Sequence, residues 1–162
     1  MKSRHPLIKF AYIITTGFGS GLSPVAPGTA GTAVATVLSL FYTYYFQEPE
    51  LLGFAILLAA LILLGWICME VCVQNLDDFS DKDPQQIVVD EILGYLVVLL
   101  FVKWSFLNLI LGFFVFRLFD IWKPSIIGWA DRRGGTFSVL LDDLLAGLFG
   151  GLCLLAFNTL LH

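Results

Sequence analysis

The sequence predicts an all-α, multi-pass helical membrane protein with about five spans and an N-terminal re-entrant or interfacial segment. Of its 162 residues, 58% are hydrophobic and only 14% are charged, whereas soluble domains are about 45–50% apolar and about 25% charged. Long apolar runs also alternate with short polar turns, and a helix needs about 20 residues to cross a bilayer. We expect a single integral membrane domain covering residues 1–162.

The N-terminal region combines basic residues with a run rich in Gly and Pro. The apolar run after Lys9 is too short for a secretory signal. Gly17–Thr32 reads GFGSGLSPVAPGTAGT, which predicts a loop or re-entrant segment because Gly and Pro disfavour a helix interior. Backbone N–H groups of Gly-rich turns bind anions, so this loop is a candidate phosphate-binding segment, although it matches no nucleotide-binding motif.

Five apolar runs follow, and we interpret them as membrane spans. Several are shorter than a full crossing requires, so tilted or partly buried helices are expected. Two polar loops, Gln74–Gln86 and Lys123–Ser138, separate the later runs. The predicted spans are Thr29–Phe46, Leu51–Val73, Ile87–Val102, Ser105–Trp122 and Val139–Leu161.

The distribution of Lys and Arg predicts a cytoplasmic N-terminus, since cytoplasmic loops of membrane proteins are enriched in these residues. In that orientation only Lys103 lies outside. The basic residues placed inside are Lys2, Arg4, Lys9, Lys82, Lys123, Arg132 and Arg133. The starts of the third and fifth spans and the end of the fourth then lie at the cytoplasmic face.

Five acids are predicted at one depth on three helices near that face. They are Asp90, Glu91, Asp120, Asp142 and Asp143. Acids near a helix N-terminus are favoured by the helix dipole, yet an intramembrane carboxylate costs about 2.5–3.5 kcal/mol on insertion scales and is usually paired or functional. Arg117 and Lys123 neutralise part of the cluster. A divalent cation would supply the rest, and oxygen-only ligands suit Mg²⁺.

Two of the acidic helices have similar sequences. VVDEILGYL and LLDDLLAGL each place acids after apolar residues, with Gly four residues after Asp90 and after Asp143. A glycine at Gly94 and Gly147 would let a neighbouring helix approach the acids closely.

Several motifs resemble the phosphatidylglycerophosphatase A family. They are GFGSGLSPVAPGTAGT, VDEILGY, FRLFDIWKP and the DR…GG…LLDDLLAG run, in that order from about Gly17 to Gly147. The resemblance implies a Mg²⁺-dependent enzyme of the bacterial cytoplasmic (inner) membrane, with its active site at the cytoplasmic face. Such an enzyme removes the terminal phosphate of phosphatidylglycerophosphate and leaves phosphatidylglycerol. A phospholipid is then the substrate, and neither nucleic acid nor a protein partner is implied.

The motifs and the charge argument together define the predicted site. The resemblance also implies roles for Pro27 and Asp131. The predicted catalytic residues are Asp90, Glu91, Asp120, Asp142 and Asp143. The predicted metal ligands are Asp90, Glu91, Asp142 and Asp143. The predicted phosphate-binding residues are Arg117, Lys123, Arg132, Arg133, Gly19, Ser20, Gly28 and Thr29.

Two questions stay open at the level of sequence. The histidines are His5 and His162, far from the motifs, so an Asp must act as acid or base or else accept the phosphoryl group. Two other functions also use intramembrane acids: a cation or proton transporter, and a metal-dependent CDP-alcohol phosphotransferase. The aspartate signature of the latter, DGxxAR followed by GxxxDxxxD, is absent.

Overall fold

A computed structural model describes residues 5–46, 48–79 and 85–160, and every regular element in these ranges is a helix. This confirms the all-α prediction. The α-helices are α1 (Pro6–Thr15), α2 (Pro27–Tyr45), α3 (Leu51–Asn75), α4 (Val89–Val98), α5 (Phe106–Trp122), α6 (Ile126–Asp131) and α7 (Thr136–Leu160). Short 3₁₀ turns cover Ser20–Leu22 and Asp77–Phe79. Lys2, Arg4 and Lys82, on which the orientation argument partly rests, lie outside the described residues.

Local sequence sets where the helices begin. Pro27 occupies the first turn of α2, where its missing N–H is not needed. Glu50 precedes α3, and its carboxylate accepts hydrogen bonds from two first-turn N–H groups at 3.1 and 2.7 Å. Ser105 caps α5 in the same way, accepting from the Asn108 N–H at 3.2 Å. Each cap satisfies backbone donors that the helix leaves free.

Helix α4 lies at the centre of the bundle and packs against α2, α3, α5 and α7. Leu93, Tyr95 and Val98 are buried, and the Tyr95 hydroxyl donates to the Leu109 carbonyl at 3.2 Å. The apolar character of this segment therefore reflects burial among helices.

Helices α4 and α7 approach each other at two glycines, as the similar sequences predict. A Cβ on Gly147 would collide with the Gly94 carbonyl oxygen and lie 3.0 Å from the Val97 Cβ. A Cβ on Gly94 would lie 2.6 Å from the Asp143 carbonyl oxygen. The two backbones are nearly in contact here, one helical turn from the acids that each helix carries.

Two of the described helices, α3 and α7, are long and apolar enough to cross a membrane. Helix α4 has ten residues, which span about 15 Å, half of the roughly 30 Å hydrocarbon core. Only Val89–Val98 of the predicted span Ile87–Val102 is helical, and the segment is not a regular transmembrane helix. Exposed apolar residues along α3, such as Leu52, Ile56 and Leu63, fit contact with lipid.

Two of the predicted loops, Gly17–Thr32 and Lys123–Ser138, contain more helix than expected. The Gly/Pro-rich segment lies outside α-helix only as far as Ala26, and Pro27–Thr32 forms the first turns of α2. The loop Lys123–Ser138 contains α6 and the start of α7. Pro27 at the start of α2 explains the first difference, since proline breaks a helix interior but is tolerated in the first turn.

Candidate functional site

One polar cavity of about 370 Å³ lies where the starts of α2 and α4, the end of α5 and the early part of α7 meet. Its described wall contains two cationic side chains, Arg117 and Lys123. The carboxylates in the wall are Asp90, Glu91, Asp120, Asp131, Asp142 and Asp143. The structure thus brings all five acids of the predicted cluster, together with Asp131, into one pocket.

Three of these carboxylates form a compact group. Asp90, Glu91 and Asp143 each offer an oxygen within 4.8 Å of the others. The glycine contact between α4 and α7 makes this possible, since it brings the acid-bearing turns of both helices together. Asp90 Oδ1 also accepts the Glu91 backbone N–H at 3.1 Å. Glu91 Oε2 is buried and has no hydrogen-bond partner in the described part of the chain.

Arg117 lies beside this group at the end of α5. Its Nη1 forms an ion pair with Asp120, one turn later on the same helix, and lies 4.0 Å from Glu91 Oε1. The guanidinium Nε is buried and finds no partner among the described residues. Asp120 therefore orients an arginine that retains an unused donor.

Lys123 forms the second charged group. It ends α5 in the left-handed conformation, with φ of 46°. Its Nζ donates to Asp131 at 2.5 Å and to Asp142 at 2.6 Å. Burial lowers the pKa of Lys123, but the two carboxylates raise it more, so its pKa lies above the ordinary value. The ammonium group stays charged at neutral pH.

Asp142 thus lies with Lys123, apart from the three-carboxylate group. The group whose oxygens lie within 4.8 Å of one another contains Asp143 but not Asp142. One oxygen of Asp142 accepts from Lys123, while the other is buried with no partner within the described ranges. The sequence predicted both aspartates as metal ligands, and the geometry favours Asp143.

Gly28 forms part of the wall from the first turn of α2. A Cβ at this position would collide with the Glu91 carboxylate and lie 3.2 Å from Arg117 Nη1. Only glycine leaves room for these two side chains, so Gly28 shapes the pocket, with Pro27 beside it.

Other residues predicted to bind phosphate lie outside the described wall. Ser20 donates its hydroxyl to the Gly17 carbonyl at 2.8 Å, so it is used within its own loop. Arg133 stacks over the Trp129 ring with its guanidinium carbon 3.9 Å from the ring centre, and Arg132 is exposed. The predicted residues that do not line the pocket are Gly19, Ser20, Thr29, Arg132 and Arg133.

Sequence reasoning missed part of the wall. Gln85, Ile87 and Val139 also line the cavity. Nothing in their local sequence distinguishes them from other loop or apolar residues. They reach the pocket only because α4 and α7 begin there, which is a tertiary effect.

The described wall carries more acidic than basic side chains. Six carboxylates face two cations in the described wall, and a phosphate ester would add further negative charge. The Asp90–Glu91–Asp143 group offers only oxygen ligands, and one of them, Glu91 Oε2, is buried without a hydrogen-bond partner among the described residues. Hard divalent cations such as Mg²⁺ prefer this kind of donor set, so the residues fit the metal that the family resemblance implies.

The described part of the chain forms a helical protein with two helices long and apolar enough to cross a membrane and a polar pocket lined by carboxylates and two cations. The family model described as phosphatidylglycerophosphatase A matches residues 13–158. The chain belongs to this family of lipid phosphatases.

Relatives of similar length support the assignment. A phosphatidylglycerophosphatase A of Escherichia coli is 33% identical over 91% of this chain and 83% of its own. A Haemophilus influenzae protein of the same name is 31% identical over 92% of each chain. A Bacteroides thetaiotaomicron protein named putative phosphatidylinositol-3-phosphatase is 38% identical over 85% of this chain and 86% of its own. No solved structure matches the chain significantly.

Proposed function

We propose that this protein is a Mg²⁺-dependent phosphatase that hydrolyses the terminal phosphate of phosphatidylglycerophosphate, giving phosphatidylglycerol and inorganic phosphate. The observation that carries the proposal is the three-carboxylate group beside two anchored cations, in a chain of this family. Family membership also favours hydrolysis over the transporter and the CDP-alcohol phosphotransferase.

The metal would be held by Asp90, Glu91 and Asp143, and this choice rests on their mutual distances. When bound, Mg²⁺ supplies positive charge for the phosphoryl oxygens and Lewis acidity for a water molecule. These carboxylates would repel the phosphate unless a cation screened their negative charge. We therefore expect phosphate and metal to bind together.

Arg117 would bind the phosphate. Guanidinium groups contact phosphate oxygens through two parallel N–H donors, and Asp120 fixes the plane of this one from the same helix. The buried Nε without a partner is a further donor. Charge-assisted hydrogen bonds of this kind stabilise the charge that shifts onto the phosphoryl oxygens during transfer.

Lys123 would approach the phosphate from the other side. An ammonium group has three donors, and two of those of Lys123 are taken by Asp131 and Asp142. Asp142 is almost fully buried, whereas the side chain of Asp131 is 41% exposed. Asp142 therefore anchors the lysine, and Asp131 is the partner that an incoming phosphate can displace with little loss.

The proton transfers fall to carboxylates. The described wall contains no histidine, so an aspartate or glutamate must take a proton from water or give one to the leaving alkoxide. An aspartate that accepts the phosphoryl group is the alternative. Asp142 is the candidate for moving a proton, because it lies outside the proposed metal group and has a buried oxygen without a partner among the described residues.

We further propose five membrane passes with the pocket at the cytoplasmic face of the inner membrane. Helices α3 and α7 support two full crossings. The shorter α2 and α5 would cross with tilt or local thinning of the bilayer. Helix α4 and the irregular segment after it would lie within the protein, where irregular backbone is tolerated at membrane depth.

Phosphate release by the purified protein tests the proposal. We expect Mg²⁺-dependent release from phosphatidylglycerophosphate, lost on chelation and restored by added Mg²⁺. Phosphatidylinositol 3-phosphate is the alternative substrate to compare, because one relative is named a putative phosphatidylinositol-3-phosphatase. Faster release from the phosphoinositide would overturn the substrate assignment. No release from either lipid with Mg²⁺ present would overturn the phosphatase assignment.

A further inference from the structure

The short helix α6 has one buried face and one exposed face. Ile127 and Ala130 are buried, where α6 packs against α7. Ile126 and Trp129 are each 45% exposed, and Arg133 follows one turn later on the same side. An apolar, aromatic and basic surface therefore points away from the bundle.

The two arginines of this surface do not contribute to the pocket. Arg132 and Arg133 are exposed, and neither lines the described cavity wall. Arg133 stacks on Trp129. The adjacent acid, Asp131, is engaged by Lys123. The two arginines thus present positive charge that Asp131 does not neutralise.

Exposed aromatic side chains flank α6 at the same end of the bundle. Trp122, which ends α5, is 68% exposed, and Phe137, at the start of α7, is 60% exposed. Aromatic residues and arginines of this kind concentrate where hydrocarbon meets headgroups, because their rings are amphipathic and their charges reach water.

We propose that the α6 edge, formed by Ile126, Trp129, Arg132 and Arg133, docks into the anionic headgroup layer of the membrane. The aromatic and aliphatic side chains enter the interface, and the arginines bind lipid phosphates or carboxylates. This contact is with the bulk membrane surface and is distinct from binding of a substrate in the pocket.

The position of α6 gives the contact a consequence. The helix connects Lys123, which precedes it, to Asp131, which ends it, and both line the pocket. Docking of α6 would hold this side of the pocket at headgroup level, where a lipid phosphate lies. The inference itself concerns membrane contact and does not depend on phosphate hydrolysis.

Fluorescence quenching by brominated lipids tests the proposal. The full-length protein is reconstituted into phosphatidylcholine vesicles with a minor fraction of phosphatidylserine, and bromine is carried by one lipid or the other. Phosphatidylserine is anionic but is neither the proposed substrate nor the product. The Trp129 signal is the difference between the wild type and Trp129→Phe, which separates it from the other three tryptophans.

We expect brominated phosphatidylserine to quench Trp129 more, per molecule, than brominated phosphatidylcholine, with an enrichment of up to about fivefold per arginine. R132Q/R133Q should remove this preference, and R132K/R133K should retain most of it. Lys103→Gln is the matched control, because Lys103 is an exposed cation outside α6. All the substituted side chains are exposed.

Four results would overturn the proposal. Absence of quenching by either lipid would place Trp129 outside the interface. Equal quenching by both lipids, or a preference unchanged in R132Q/R133Q, would remove the role of the arginines. An equal loss of preference in Lys103→Gln would assign the attraction to overall charge.

Discussion

Asp142 and Asp143 are adjacent in sequence but have different surroundings. Asp143 joins the carboxylates of α4, whereas Asp142 accepts from Lys123. The sequence predicts that both approach the same site, because both face one end of the bundle. It does not separate them, since the partner of each depends on where α4 and the end of α5 lie around α7.

At the residue scale, substitutions of Arg117 and Asp120 test whether Arg117 binds phosphate or only forms a structural ion pair. We expect Arg117→Ala to slow phosphate release by about 10- to 100-fold, because a hydrogen bond to a charged group contributes about 1.5–3 kcal/mol. Arg117→Lys should restore little, since lysine lacks the planar fork. The measurement is a double-mutant cycle on phosphate release and on thermal stability in detergent.

The cycle has two distinct outcomes. If Arg117 binds phosphate, Arg117→Ala/Asp120→Ala recovers stability but not activity, because both buried charges are removed together. Near wild-type activity in the double variant would contradict direct roles for both residues, and the site would then be limited to the carboxylates of α4 and α7.

Lys123 provides a second test at this scale. Lys123→Ala should lower kcat/KM and also destabilise the protein by roughly 1–3 kcal/mol, since the buried carboxylate of Asp142 loses its partner. Lys123→Ala/Asp142→Asn should regain stability and stay slow. Lys103→Ala, at an exposed lysine, is the control and should change neither property. Recovery of activity in the double variant would make Lys123 a purely structural cation.

At the scale of the elements, composition predicts helices better than it predicts spans. The apolar run around Leu93 and Val98 has the composition of a membrane span, yet it forms a ten-residue helix buried among four others. Burial in protein and burial in lipid select the same side chains, so hydropathy does not separate them. The glycine spacing was more informative: Gly94 and Gly147 do mark a close helix contact.

The contact between α4 and α7 is tested by glycine substitutions. Gly147→Ala should destabilise the protein by about 1–3 kcal/mol, the usual effect of overpacking, and should weaken activity by separating Asp143 from Asp90. Gly112→Ala is the matched control, because its Cβ would meet Val98 at an ordinary 3.4 Å and alanine favours helix by about 1 kcal/mol. Thermal melts and phosphate release measure both variants. Equal stability of the two would contradict the close approach.

At the scale of the whole molecule, the sequence predicts that the acids meet at one end of the helices, and they line one cavity. It does not predict which phosphate-binding candidates reach that cavity. Asp131, Arg132 and Arg133 are consecutive in the sequence, but only Asp131 lines the pocket at the end of α6. A six-residue helix is too short to be read from sequence periodicity.

The orientation in the membrane is a further prediction at this scale. We expect residue 133 and the turn around Asp77 to be cytoplasmic, because Lys and Arg concentrate at that end. Single cysteines introduced there are labelled in intact and permeabilised cells, in a Cys153→Ala background because Cys153 is exposed. Lys103→Cys is the control and should be labelled from outside. Ready labelling of residue 133 in intact cells would contradict a cytoplasmic pocket.

The most direct test of the central claim is the Mg²⁺ dependence of phosphate release from phosphatidylglycerophosphate when the acids are neutralised one at a time. We expect the Mg²⁺ concentration for half-maximal activity to rise by at least about tenfold in each of Asp90→Asn, Glu91→Gln and Asp143→Asn. Removing a residue that only hydrogen-bonds to a metal ligand already lowers metal affinity or activity by about 10- to 100-fold. Asp77→Asn, at an exposed acid, should behave as the wild type. An unchanged Mg²⁺ dependence in all three pocket variants, or a larger shift in Asp77→Asn, would contradict the account.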